Sequence, residues 1–157
     1  MEIFMTAERR IVELGITLPE IPAADGMYVH AVRTGNLLYT AGKGPRFPDG
    51  GKPTGKVGAD FTVEEARAHA RLAGLVLLSV VRKELGSLDK IVRVVKVLGM
   101  VNATPDFKRH PEVINGCSEL FLEVFGNNGA HARSAVGVGS LPGDMTVEIE
   151  VIFEIAD

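Results

Sequence analysis

The closing stretch HARSAVGVGSLPGDMTVEIEVIFEIAD, residues 131–157, decides the fold. Its second half alternates as a strand does. Val147, Ile149, Val151, Phe153 and Ile155 share one side, and Thr146, Glu148, Glu150, Ile152 and Glu154 share the other. An antiparallel sheet with one face on a core and the other turned away produces this pattern. Residues 133–138 make a second β-rich run, and the GSLPGD connection, residues 139–144, carries turn-forming Gly and Pro. The two runs therefore read as a terminal hairpin. Two opposite charges interrupt it: Arg133 among small residues and Glu148 in the apolar ladder. Ile152 among the glutamates implies that the outer face is partly covered by a further copy of the chain.

Upstream, FTVEEARAHARLAGLVLLSVVRKELG has helical spacing. Thr62 and Glu65 form a capping-box pattern, Gly86 is a natural stop, and Val63, Ala66, Ala70, Ala73, Leu77, Val81 and Leu85 make one stripe. The small residues of that stripe allow close packing on a sheet. PEVINGCSELFLEVFG returns to the same period, with Pro111 in the first turn and Val113, Cys117, Leu120, Phe121 and Val124 on one face. Between the helices, DKIVRVVKVLGMVNA is β-branched and reads as a strand. MYVHAVRTGNLLYTAG gives two further strands around Gly35-Asn36. The order β-β-α-β-α-β-β predicts an α+β domain, one sheet with both helices on a single face. Residues 1–157 read as one domain with an N-terminal extension over about 1–25, formed by a short helix capped by Thr6 and a proline-rich loop. The Gly/Pro-rich segment 43–60 reads as a surface loop, either an insertion or a lid over a site.

Bulk properties narrow the function. The chain has 157 residues, 46% of them apolar, and a formal charge of −3 from 17 basic and 20 acidic side chains. Scattered Lys and Arg with a net negative charge argue against nucleic acid as the main partner. A single cysteine, Cys117, precludes an intramolecular disulfide and points to the cytoplasm. The start MEIFMTAERRIVELG lacks a signal-peptide core, and LAGLVLLSVV is too short to span a bilayer, so no membrane association is expected. The four histidines have no metal-ligand spacing and no phosphate-loop pattern is present, so neither a metal nor a cofactor is expected.

RSAVGVGSLPGDMTVEIEVIFEIA resembles the C-terminal signature of the Rid (YjgF/YER057c/UK114) family, and MYVHAVRTGNLLYTAGKG resembles its N-terminal strand pair. The intervening helix, strand and helix follow in the same order, over residues 26–156. The lengthened VNATPDFKRHPEVINGCSELFLEVFG marks a divergent branch, of the kind called endoribonuclease L-PSP/chorismate-mutase-like. The resemblance implies a chorismate-mutase-like fold assembled as a homotrimer, with clefts between subunits that take a small anionic metabolite. It also implies enamine/imine deaminase activity: hydrolysis of small 2-imino acids, such as 2-iminobutanoate or 2-iminopropanoate, to a 2-keto acid and ammonia. A non-catalytic carboxylate-binding or regulatory trimer is the alternative, and endoribonuclease activity a third reading.

Carried over residue by residue, the resemblance gives Arg133 the grip on the substrate carboxylate and places Glu148 near the reacting carbon. Tyr28 and Asn115 become substrate-binding residues. Ala135 replaces a cysteine found in many relatives, and Lys43 stands where glutamine is common. On its own chemistry Arg133 is a planar fork suited to a carboxylate, or else half of an ion pair with Glu148 or Glu150 across the hairpin. Glu148 could activate water, but Glu150 shares its strand face and spacing does not choose between them. Cys117 falls on the apolar helix stripe and reads as inert core, while His131 lies close enough to Arg133 to line a cleft.

Overall fold

The computed structural model describes residues 5–24 and 26–157. The start MEIF and Asp25 of the predicted extension lie outside the described residues. The elements run α1 (Ala7–Glu13), β1 (Ala31–Thr34), β2 (Leu37–Thr40), α2 (Val63–Leu85), β3 (Ile91–Asn102), α3 (His110–Phe125), β4 (Ala132–Val138) and β5 (Val147–Ile155). They form an α+β architecture with one five-stranded mixed sheet and two main helices. The strand order is β1-β2-β5-β3-β4.

The local signals act as their chemistry requires. Thr62 and Glu65 exchange both capping-box hydrogen bonds, and Gly86 closes α2 in the left-handed conformation at φ 86°. The Gly35-Asn36 turn joins β1 to β2 with Gly35 at φ 59°, so a positive φ falls on the residue that tolerates it. Along α2, Ala66, Ala70, Ala73, Leu77 and Val81 are wholly buried, as are Val113, Cys117, Leu120, Phe121 and Val124 along α3. The helices approach closely at Gly116, where a Cβ would stand 2.0 Å from the Arg67 carbonyl oxygen.

The predicted terminal hairpin does not exist. β4 pairs in parallel with β3, and β5 pairs antiparallel with the other edge of β3, so β3 lies between the two strands expected to be partners. β3 carries apolar residues on both sides, with Lys96 beside them on the uncovered face. Val94, Val97 and Val101 are buried against the helices, while Leu98 and Met100 on the opposite face are half-buried. Burying both edges of this twelve-residue strand leaves the shorter β4 at the sheet edge. The GSLPGD connection instead passes over the end of β3, where Asn102 donates from Nδ2 to Asp144 Oδ1 at 3.0 Å and to the Gly55 carbonyl at 3.1 Å.

The odd-numbered residues of β5 are all buried beneath the helices. Thr146, expected in the outer row, is also wholly buried and bonds His69 of α2 at 3.0 Å, because β5 begins one residue later. Among the described residues, no helix covers the opposite face. Val32 and Tyr39 are exposed there, beside half-buried Ile152, Leu98 and Met100 and the glutamates 148 and 150.

Segment 43–60 is more firmly tied than a surface lid would be. Lys43 bridges Ile149, Thr54 bridges Met145, and Val57 bridges Ala103 and is wholly buried. Its tip, residues 47–52, and the short run 58–60 are exposed, with buried Pro53, Gly55 and Val57 between them. The N-terminal segment shares the core through buried Ile11 and partly buried Ile16, Leu18 and Ile21. The Glu8 carboxylate also accepts from the Arg82 guanidinium and the Leu88 amide.

Candidate functional site

Register places Arg133 and Glu148 on opposite faces of the sheet. Arg133 pairs with Val97, which pairs with Val151, and all three point toward the helices. Glu148 pairs with Met100 on the uncovered face. The two residues are three positions apart along the sheet and two strands apart across it, about 14 Å between backbones. An ion pair between Arg133 and either glutamate is therefore absent, and the reading of Arg133 as half of a hairpin salt bridge is overturned.

Around Arg133 the sheet edge and α3 build a cradle. The guanidinium Nη1 donates to Asn115 Oδ1 at 2.7 Å and to Ser118 Oγ at 3.0 Å. Asn115 and Ser118 stand three residues apart on α3, so their side chains emerge from the same side of the helix. Ser118 Oγ also lies 2.9 Å from His131 Nε2, and His131 Nδ1 lies 2.6 Å from the Gly129 carbonyl oxygen. A carbonyl only accepts, so Nδ1 carries the proton and Nε2 accepts from the Ser118 hydroxyl. The Ser118 oxygen then offers its lone pair to Arg133. Burial holds His131 below the usual imidazole range; its bond to Gly129 opposes this and the Arg133 charge reinforces it. The cradle uses Nη1 and draws no carboxylate of the chain to the guanidinium among the described residues. A charged fork held by neutral acceptors suits an external carboxylate.

The second cluster forms around Glu148, whose carboxyl group packs on the backbone of Gly42. A Cβ at position 42 would stand 2.9 Å from Glu148 Cδ and Oε1. Next to it, Lys43 is held by reciprocal backbone bonds to Ile149, each 2.9 Å. Its Nζ lies 2.5 Å from His30 Nδ1 and 5.6 Å from the centre of the Tyr28 ring. His30 Nε2 faces the Pro22 carbonyl at 2.9 Å and must donate to it, leaving Nδ1 as acceptor for Lys43. Burial raises Glu148 above the usual carboxylate range; Glu150 adds to the rise and Lys43 opposes it. Lys43 is lowered by burial, against the pull of Glu148. The two glutamates that spacing left equivalent thus differ in environment, since Glu150 is exposed and Glu148 half-buried.

Of the residues singled out by sequence, Arg133 and Asn115 meet in the first cluster, and Tyr28 and Glu148 approach Lys43 in the second. Sequence reasoning missed Ser118 and His30. Ser118 follows Asn115 by one helical turn and His30 follows Tyr28 by two positions, spacings that could have drawn attention to both. Cys117 is wholly buried and burial pushes its thiol far above the usual range, which leaves it inert. Among the described residues, no three His, Cys, Asp or Glu side chains converge as a metal-holding group, and no helix is long and apolar enough to cross a membrane.

Residues 8–153 match the family described as YjgF/chorismate mutase-like, a description that also carries the word endoribonuclease. The chain belongs to this family. Protein TCP17 of Trypanosoma cruzi is 43% identical over 143 residues, spanning 90% of this chain and 89% of that protein. The 2-iminobutanoate/2-iminopropanoate deaminase of Escherichia coli is 32% identical over 137 residues, spanning 87% of this chain and 94% of the enzyme. A solved structure of a protein of unknown function from Agrobacterium tumefaciens superposes with a TM-score of 0.87 at 42% identity, covering 96% of this chain and 94% of its own. Family membership accounts for the fold and the resemblance of the terminal strands, while relatives with differing names share the same scaffold.

Proposed function

We propose that the protein hydrolyses small 2-imino acids to 2-keto acids and ammonia, acting as a homotrimer. Its clefts would bring Arg133 of one copy to Glu148 of a neighbouring copy. The observation carrying this reading is the division of the two clusters between opposite sheet faces. A substrate of a few carbons cannot touch both within one chain, and an uncovered sheet face with half-buried apolar residues flanks Glu148. The name of the Escherichia coli relative supports the choice of substrate.

Arg133 binds the substrate carboxylate, with Asn115 and Ser118 fixing the guanidinium plane. Glu148, when ionised, accepts a proton from the water that adds to the imine carbon, and the raised carboxyl makes it a stronger base than an exposed one. Tyr28 covers the Lys43 side of the same cluster. The reaction needs little machinery, since an imine is already electrophilic and positioning supplies much of the acceleration. Keto-acid release from enzymatically generated 2-iminobutanoate and 2-iminopropanoate tests the proposal. Wild type should accelerate release, and Arg133→Ala and Glu148→Gln should each lose most of that acceleration with assembly intact. No acceleration across a panel of imino acids would defeat the deaminase reading. Carboxylate binding that depends on Arg133 would then favour a regulatory binding trimer, to which the complete Arg133 cradle is equally suited.

A further inference from the structure

Arg133 stands on the edge strand β4, where its long side chain would be free to turn if the strand alone held it. Nη1 carries two hydrogens and meets two acceptors, Asn115 Oδ1 at 2.7 Å and Ser118 Oγ at 3.0 Å. Nε and Nη2 have no hydrogen-bond partner among the described residues. Nε–H and the neighbouring Nη2–H run parallel, the edge that a carboxylate takes up with two bonds. The two acceptors on Nη1 differ in kind. An amide oxygen only accepts, whereas a hydroxyl can turn its proton toward the guanidinium or away from it. For Ser118, 9% exposed, the direction is set by His131, whose Nε2 lies 2.9 Å from Oγ. With its proton on Nε2, the hydroxyl keeps a lone pair for Arg133. The imidazole is itself fixed. Nδ1 donates to the Gly129 carbonyl at 2.6 Å, and the Phe121 ring meets it edge-on, 6.1 Å between centres and 80° between planes. A Cβ at Gly129 would stand 2.2 Å from the Phe121 carbonyl oxygen, so the bare backbone is what lets this turn lie against α3 and present its carbonyl to the ring.

We infer that His131 is a positioning residue for substrate binding: acting through the Ser118 hydroxyl, it locks the rotation of the Arg133 guanidinium so that the Nε–Nη2 edge is presented to the substrate carboxylate. The inference rests on Arg133 as the carboxylate grip of the proposed function, and it assigns the residue that prepares that grip. His131 makes no hydrogen bond to the guanidinium itself, so its influence passes through one hydroxyl proton. Preparation matters because a long side chain that must be immobilised on binding takes away part of the affinity, whereas one fixed beforehand does not. Without an acceptor at position 131 the hydroxyl swings, and in half of its arc its positive end faces a cation. Asn115 alone then holds Nη1, and the fork can twist about that single bond.

A double-mutant cycle on the full chain tests the relay, read by calorimetric binding of 2-oxobutanoate and by the kinetics of 2-iminobutanoate hydrolysis. His131→Leu, which fills the space without an acceptor, should weaken 2-oxobutanoate binding about five- to tenfold. It should raise KM by a similar factor while kcat changes far less, since the carboxylate is held alike in ground and transition states. His131→Gln, whose amide oxygen can accept from the hydroxyl, should recover most of the lost affinity. Ser118→Ala should weaken binding about as much as His131→Leu, and adding His131→Leu to Ser118→Ala should cost nothing further. Additive losses in the double variant, or a glutamine no better than leucine with both thermal melts unchanged, would reduce His131 to a space-filling role. Should leucine at position 131 prevent folding, unaltered affinity in Ser118→Ala would overturn the relay by itself. If wild type hydrolyses the imine and none of these variants shifts KM or affinity, the positioning role is wrong while the deaminase reading stands. If no imine is hydrolysed faster than in buffer but 2-oxobutanoate binding follows the expected pattern, the deaminase reading fails and the role of His131 stands. A wild type that neither binds 2-oxobutanoate nor hydrolyses the imine would overturn both.

Discussion

Arg133 and Glu148 show how much of a residue's chemistry depends on which way its strand faces. Sequence made them candidates by type, but the register decides that one is gripped by α3 and that the other lies on the open face, against the segment that follows β2. Glu148 also differs from Glu150, although both occupy the same side of β5. The difference is Gly42, whose missing side chain lets the Glu148 carboxyl lie against the backbone and lose water. A pH prediction follows with a definite sign. Burial, then Glu150, raise the Glu148 carboxyl above its ordinary value of 4.5, so the group is protonated, and useless as a base, at a pH where an exposed glutamate would be ionised. The acid limb of kcat/KM should lie above pH 4.5. Glu150→Gln removes a like charge and should move that limb to lower pH, leaving the rate on the plateau largely unchanged. A limb that stays in place, or moves upward, would show that Glu148 is not the titrating base.

At the scale of elements, the capped helices were legible because their signals are local. Thr62, Glu65 and Gly86 act on backbone groups within one turn, and the apolar stripes follow from a fixed period. Strand pairing was misread for the opposite reason. β4 and β5 run antiparallel and are joined by a turn-rich connection, yet β3 competes for the slot between them and wins by burying both of its edges. Nothing in residues 131–157 encodes that competition. The α2–α3 contact offers an element-scale test. Gly116→Ala would set a methyl group 2.0 Å from the Arg67 carbonyl oxygen, a rigid backbone neighbour. The helices must separate, at a cost of about 1–3 kcal/mol, and since Asn115 and Ser118 flank position 116, the Arg133 cradle should loosen with them. Thermal melting should show a lowered midpoint, and carboxylate affinity should weaken in parallel. Full retention of both would mean that the interhelical fit is not what positions the cradle.

For the whole molecule, the two clusters make a prediction about assembly that neither makes alone. If each proposed site takes Arg133 from one copy and Glu148 from its neighbour, the single variants Arg133→Ala and Glu148→Gln should be nearly inactive by themselves but complement one another when mixed. In mixed trimers formed by unfolding and refolding equal amounts, about a quarter of the clefts would receive an intact residue from each side, so about a quarter of wild-type activity should return. Recovery of none, with mixed trimers demonstrated by native mass spectrometry, would exclude a shared site. A monomer by light scattering at micromolar concentration would remove the clefts altogether.

By itself, the sequence determined what local physics controls: the helix spans and caps, the strand that faces both ways at residues 147–155, and the terminal pattern that identifies the family. It also supplied the chemical types available to a site, Arg133, Glu148, Tyr28 and Asn115 among them. The tertiary structure decided the insertion of β3 between β4 and β5, and with it the separation of arginine and glutamate onto opposite faces. It also decided that Ser118 and His131 brace the arginine and that His30 meets the buried Lys43. Those choices depend on contacts between residues distant along the chain, made only when edges compete for burial and each polar group in the interior must find its partner.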